Sequence, residues 1–274
     1  MRQLSPHEST ARRIRKQLIK RVESALDILS KARPSAADVH DARKSLKKAR
    51  ASLRLLRPAL RASDYRKENI RLRDAAQPLG VARDAQVLPD TLRKVARHSG
   101  RPLRIELEPD TARLASRELA RSRRLLREAC KRLQHLRFET DNWKVVGPAL
   151  HRMYRQGRRA LADARDQTTP EAFHEWRKQV KYLRYALETL EPLWPPLIHA
   201  MGDAAHELTN CLGNDHDLTL LRQKTHNAEP LAALITRFQH ELRLEALTLG
   251  AQIYEEKPNA FTHRFAGYWK EWRH

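Results

Sequence analysis

Twice in this chain, 134 residues apart, a histidine is followed by Arg, Lys, Lys and Arg at the same offsets: His40, Arg43, Lys44, Lys47 and Arg50, then His174, Arg177, Lys178, Lys181 and Arg184. Steps of three and four are the spacing of one helix face, so each copy specifies a helix and excludes a strand. The apolar residues agree. Val39, Ala42, Leu46, Ala49, Leu53 and Leu56 recur at the same steps and form a stripe that faces a core. The cations, continued by Arg54 and Arg57, follow one position later and so border that stripe. From Ala42 to Ser63 there are eight Lys or Arg and no Asp or Glu, so no carboxylate one turn away neutralises them. Their partner must come from outside the helix.

The start signals are also repeated. Ser35-x-x-Asp38 reads as a capping box, and Thr169-Pro170 as an N-cap with proline at the first helical position. Each histidine stands five residues after its cap, near the positive end of the helix dipole, where an anion is favoured. A basic run on one helix is most often a solvated face, and a lone histidine near a helix start is usually inert. Here the first flank carries no acids, and the same residue types return at the same offsets. The second copy turns acidic at Glu188 and Glu191, where the first has Arg54 and Arg57. The five shared positions are therefore expected to be the functional part, with the first lobe holding the stronger field and most of the affinity.

The net charge of +21 is unevenly placed: residues 1 to 137 hold 36 Lys/Arg against 15 Asp/Glu, and residues 138 to 274 hold 18 of each. Such an asymmetry points to a polyanionic partner, because self-repulsion disfavours the compact state unless a ligand or counter-ions screen it. Nucleic acid, polyphosphate and an anionic membrane surface all qualify. No run approaches 18 uncharged apolar residues, and the opening MRQLSPHESTARRIRK lacks the apolar stretch of a signal peptide, so no membrane insertion and a cytoplasmic location are expected. Cys130 and Cys211 are far apart without metal-ligand spacing and read as packing residues.

Few glycines and few β-branched runs predict an all-α chain. A first helix is expected from Ser5-Pro6 to about Ala32, with Arg13, Lys16 and Lys20 on one side as candidates to extend an anion surface. After the first His-Arg-Lys helix, a third runs towards Gly80 and a fourth from Ala82 to His98, kinked at Pro89. Ser99-Gly100-Arg101-Pro102 marks a boundary between a first lobe, residues 5–100, and a second, residues 110–274. Glu106 and Glu108 fall in the linker. The second lobe is expected to hold a helix from Asp110 to Leu136, one from Asn142 to Arg165, and the second repeat. A helix broken at Gly213 and two more follow. The expected fold is two helical bundles, of about four helices each, related by an internal pseudo-twofold. Asn214-Asp215-His216-Asp217 is the one cluster with metal-like residue types. It is read as structural, with Asp84 and Asp217 capping a helix or bracing neighbouring cations.

These motifs resemble the CHAD family, α-helical domains named for their histidines, over most of the chain as one domain. The likeness includes the two His-x-x-Arg-Lys-x-x-Lys-x-x-Arg helices and Tyr154-Arg155-x-x-Arg158, which it adds as candidate anion-binding residues. It also includes the turns Leu79-Gly80 with Asp84 and Leu212-Gly213 with Asp217. The resemblance implies paired helical bundles with a basic central surface that binds inorganic polyphosphate, and an association with polyphosphate granules. It implies no catalysis and no cofactor. The residues themselves supply cations but no nucleophile with its base and no paired carboxylates. Nucleic acid is the alternative ligand, since the same charge serves it. A platform of aromatics, which base stacking requires, is absent from the first copy. A metal-dependent phosphohydrolase built on the Asp-His-Asp cluster is the third reading.

Overall fold

The computed structural model describes residues 4–100, 115–226 and 229–274, with backbone alone over 81–86. The linker carboxylates Glu106 and Glu108, and the side chain of Asp84, lie outside the described residues. Within them the chain is all-α. Ten α-helices and no strand are present: α1 Thr10–Leu29, α2 Ala36–Leu56, α3 Ala62–Ala76, α4 Val81–Ser99, α5 Ser116–Gln134, α6 Trp143–Gln167, α7 Pro170–Leu190, α8 Pro195–Lys224, α9 Leu231–Ile253 and α10 Pro258–Arg273. No helix among the described residues is long and apolar enough to cross a membrane.

The apolar stripes go where the spacing predicts. Val39, Ala42, Leu46, Ala49, Leu53 and Leu56 of α2 are buried against Ile14, Leu18, Val22 and Leu29 of α1 and against the α7 residues Trp176, Val180 and Leu183, all in one continuous core. Helix α1 begins at Thr10 rather than Ser5, because Ser9 is the cap: its hydroxyl accepts the Arg12 amide at 3.3 Å. Pro89 lies inside α4.

Packing does not follow chain order. Helix α5 lies against α1 and α3, whereas α4 crosses to α8 and α9. There Leu88 and Val95 join Leu218, Leu221, Leu231, Ile235 and Leu242 in a second, smaller core. The break expected at Gly213 is not found: α8 runs unbroken from Pro195 to Lys224. A glycine inside a helix costs only about 1 kcal/mol, and the buried residues on both sides of it, Leu208, Cys211, Leu212, Asp215 and Leu218, hold the helix together.

Candidate anion-binding cleft

Helices α2 and α7 carry the two repeats and start as their sequences specify. Ser35 Oγ accepts the Asp38 amide at 3.1 Å while Asp38 Oδ2 accepts the Ser35 amide at 2.9 Å, and Thr169 Oγ1 accepts the Ala172 amide at 3.2 Å. Hydrogen bonds from Lys31 and Ser35 hold the Asp38 carboxyl down to about 2. The two helices meet along their lengths. Lys48 Nζ donates to Glu188 at 2.7 Å, and the Arg54 guanidinium lies 3.9 Å from the Tyr182 ring centre. Advancing six residues along α2 retreats six along α7, so the helices are antiparallel.

Antiparallel packing brings the start of each cationic stripe beside the end of the other. Two cavities result. The first, about 460 Å³, takes His40, Arg43, Lys44 and Lys47 from α2 and Arg177, Lys181 and Arg184 from α7. The second, about 360 Å³, takes His174, Arg177, Lys178 and Lys181 from α7 and Arg43, Lys47 and Arg50 from α2. Exchanging the repeats converts one set into the other. All ten shared positions line the cleft, and Arg43, Lys47, Arg177 and Lys181 line both halves. Asp217 is the one carboxylate in either lining among the described residues.

Each repeat arginine lies against a glycine. A Cβ on Gly80 would come within 2.9 Å of Arg43 Nη1, and one on Gly213 within 3.1 Å of Arg177 Nη2. The Leu-Gly pairs seen in the sequence thus leave room for the guanidinium groups of the cleft. Of the neighbouring cluster, Asp217 faces the cleft, but Asp215 turns to α9. Arg243 Nε donates to Asp215 Oδ1 at 2.7 Å and Gln239 Nε2 to the same oxygen at 3.2 Å. Burial raises the Asp215 carboxyl above its ordinary value despite Arg243. Among the described residues no group of three or more His, Cys, Asp or Glu is placed to hold a metal ion.

The histidines are unequal. His40 is exposed at the mouth of the first cavity, while His174 is half-buried in the second, with its ring centre 4.5 Å from that of His216. Burial, then the Arg177 and Lys178 charges, lower the His174 pKa, with Glu175 opposing them. His174 Nδ1 is buried without a hydrogen-bond partner.

The sequence model of the CHAD domain matches residues 11–226. The chain belongs to the CHAD family. No curated protein matches it. In this CHAD domain several expected site residues lie apart from the cleft. Arg54 is held by Tyr182 and by Tyr65, whose hydroxyl is 3.2 Å from Arg54 Nη1, and Arg57 sits over the Tyr65 ring at 4.9 Å. On α1, Lys16 and Lys20 are exposed, and Arg13 pairs with Glu8 at 2.7 Å. Tyr154 is buried, its ring stacked 3.9 Å from Phe261 and its hydroxyl 3.1 Å from the Ile253 carbonyl. Arg158 donates to the Glu256 carbonyl at 3.3 Å, and Arg155 is exposed. None of these residues lines either cavity.

Other lining residues of the cleft were not marked by the repeat. Lys94 of α4 enters the first cavity and donates to Asn214 Oδ1 at 2.8 Å. Thr209 and Asn210 of α8 join it there, and Tyr185 lines both halves. No local pattern identifies Lys94, because its place depends on α4 crossing to α8. Tyr182 and Tyr185 are buried, with their rings against Arg54 and Lys48.

Proposed function

We propose that the α2–α7 cleft binds inorganic polyphosphate and does not hydrolyse it. The observation that carries this reading is the exchanged lining: ten His, Lys and Arg side chains from two antiparallel repeats surround one cleft, with Asp217 the one carboxylate among the described residues. A linear polyanion with about one charge and several acceptor oxygens on each phosphate answers that field along its length. Guanidinium forks take it bidentately and ammonium groups supply point charge. Base stacking is poorly supported, because Tyr182 and Tyr185 are buried and each ring already has a cation of the adjacent helix against it. Asp217 lies among cations, the setting of a brace that fixes their geometry. Binding of this kind would hold the protein at polyphosphate granules in the cytoplasm.

The deciding experiment is competition between polyphosphate and DNA at matched phosphate concentration and physiological salt. Polyphosphate is expected to displace DNA and to raise the melting temperature, since a ligand at a hundredfold excess over Kd adds about 2.7 kcal/mol to the folded state. Orthophosphate is expected to do little. DNA that resists displacement would move the assignment to nucleic acid. Orthophosphate released from polyphosphate with Mg²⁺ or Mn²⁺, and lost in Asp217→Asn or His216→Gln, would instead make the protein a hydrolase.

A further inference from the structure

Helix α4 presents Asp90, Arg93, Lys94 and Arg97 at steps of three and four, one face of the helix. Lys94 belongs to two concavities at once. It lines the first half of the cleft beside Arg43, Lys44 and Lys47, and it lines an open hollow of about 690 Å³ with Asp90, Arg93, Ala96 and Arg97. Its ammonium donates to the neutral amide of Asn214, a bond that leaves its positive charge in place. The stripe is also fixed in place. Leu88 and Val95, on the other side of α4, are buried against Leu218 of α8 and Leu231, Ile235 and Leu242 of α9.

We propose that the polyphosphate track continues out of the cleft over α4, with Lys94 as the junction and Arg93 and Arg97 as the outer contacts. The proposal rests on the cleft reading above and extends it to chain length. From His40 to Arg50 the α2 stripe spans about 15 Å at the rise of an α-helix, so a short oligophosphate is accommodated without reaching α4. A longer linear chain leaving the first cavity passes Lys94 and meets two exposed guanidinium groups on a rigid helix. Asp90 is the one carboxylate of that hollow among the described residues and is bonded to Arg93, which it partly neutralises.

Binding of tripolyphosphate and of long-chain polyphosphate is to be measured at several salt concentrations for the full chain. The variants are Arg93→Ala with Arg97→Ala, and Asp90→Asn. The arginine pair is expected to weaken long-chain binding about threefold to tenfold and to lower the salt slope by about 0.7 to 0.9 for each phosphate that is no longer neutralised, with tripolyphosphate unaffected. Asp90→Asn is expected to do the reverse, tightening the long chain alone. Arg117→Ala with Arg121→Ala, two exposed arginines of α5 on the bundle with α1 and α3, is the charge-matched control. Equal losses in this control, equal losses for both ligands, or no change with the long chain would each overturn the α4 track. Failure of the wild-type chain to bind either ligand would overturn the cleft itself.

Discussion

Arg43 reaches the cleft across Gly80, at a distance that a side chain on residue 80 would not permit. A Cβ there would meet Nη1 at 2.9 Å, against 3.1 Å for the matching pair Gly213 and Arg177. The atoms met are the ends of flexible side chains, so a methyl group displaces the guanidinium rather than the backbone. Gly80 has φ of −70°, which alanine adopts freely, and Gly213 lies within α8, where alanine is preferred by about 1 kcal/mol. Gly80→Ala and Gly213→Ala are therefore expected to weaken polyphosphate binding without lowering the melting temperature. Gly80→Ala should have the larger effect. A fall in melting temperature matched to the loss of binding would assign both glycines to packing instead.

Removing the repeat cations tests the cleft directly. Arg43→Ala with Lys47→Ala and Arg177→Ala with Lys181→Ala each remove two side chains that line both cavities. Charge-assisted contacts contribute roughly 1.5 to 3 kcal/mol apiece, so each pair is expected to cost at least tenfold in affinity, measured by titration calorimetry. The sequence favoured a larger loss from the first pair, because α2 continues with Arg54 and Arg57. Those two are held by Tyr182 and Tyr65 and do not line the cleft. The expected losses are therefore similar. A loss from the first pair at least tenfold greater would mean that Arg54 and Arg57 act on the ligand after all.

What the sequence revealed was local or repeated. The capping box of Ser35 and Asp38, the Thr169 cap and the buried stripe of α2 all follow from neighbours within a few residues, and each is present in the structure. The ten cleft positions were legible because duplication made the signal visible twice. Contacts between distant helices were not. Glu188 looked like a dilution of the second stripe, yet its partner is Lys48, 140 residues away. Tyr154-Arg155-x-x-Arg158 entered through the family likeness as a candidate binding motif, but Tyr154 belongs to the packing of α6 on α10 and the end of α9. Lys94 needed the crossing of α4 onto α8, which no property of α4 alone specifies.

Glu188 offers a gain of binding. It pairs with Lys48 at 2.7 Å and stands 3.8 Å from Arg184, which lines the first cavity. It also offsets the cost of burying Arg21, whose pKa is lowered chiefly by burial and raised in part by this carboxylate. Glu188→Gln removes one negative charge beside the cleft and releases Arg184, so polyphosphate affinity is expected to rise severalfold. Stability is expected to fall by on the order of 1 kcal/mol, because a partly buried ion pair between two helices is lost. Tighter binding in a less stable protein is an outcome that a purely structural Glu188 does not produce. Chemical denaturation and titration of the same sample measure both.

The pH dependence has a defined sign. His174 titrates below the ordinary value of 6.5, because burial and then Arg177 and Lys178 disfavour the imidazolium, against the weaker pull of Glu175. The other groups that share its half of the cleft are the cations Arg43, Lys47, Arg50 and Lys181, with Tyr182, Tyr185, His216 and Asp217. Between the depressed folded value and 6.5 the unfolded chain binds more protons than the folded one, so stability falls as pH falls through that window. A bound polyanion would reverse the local field and favour the charged ring, so binding is expected to take up a proton and affinity to rise as pH falls. Without ligand, the melting temperature of the wild-type chain is expected to drop from about pH 7.5 to about pH 5.5 by more than that of His174→Gln. With polyphosphate present, the wild-type affinity is expected to gain more over the same interval than that of the variant. Parallel curves for the two proteins in both measurements would remove His174 from the titration.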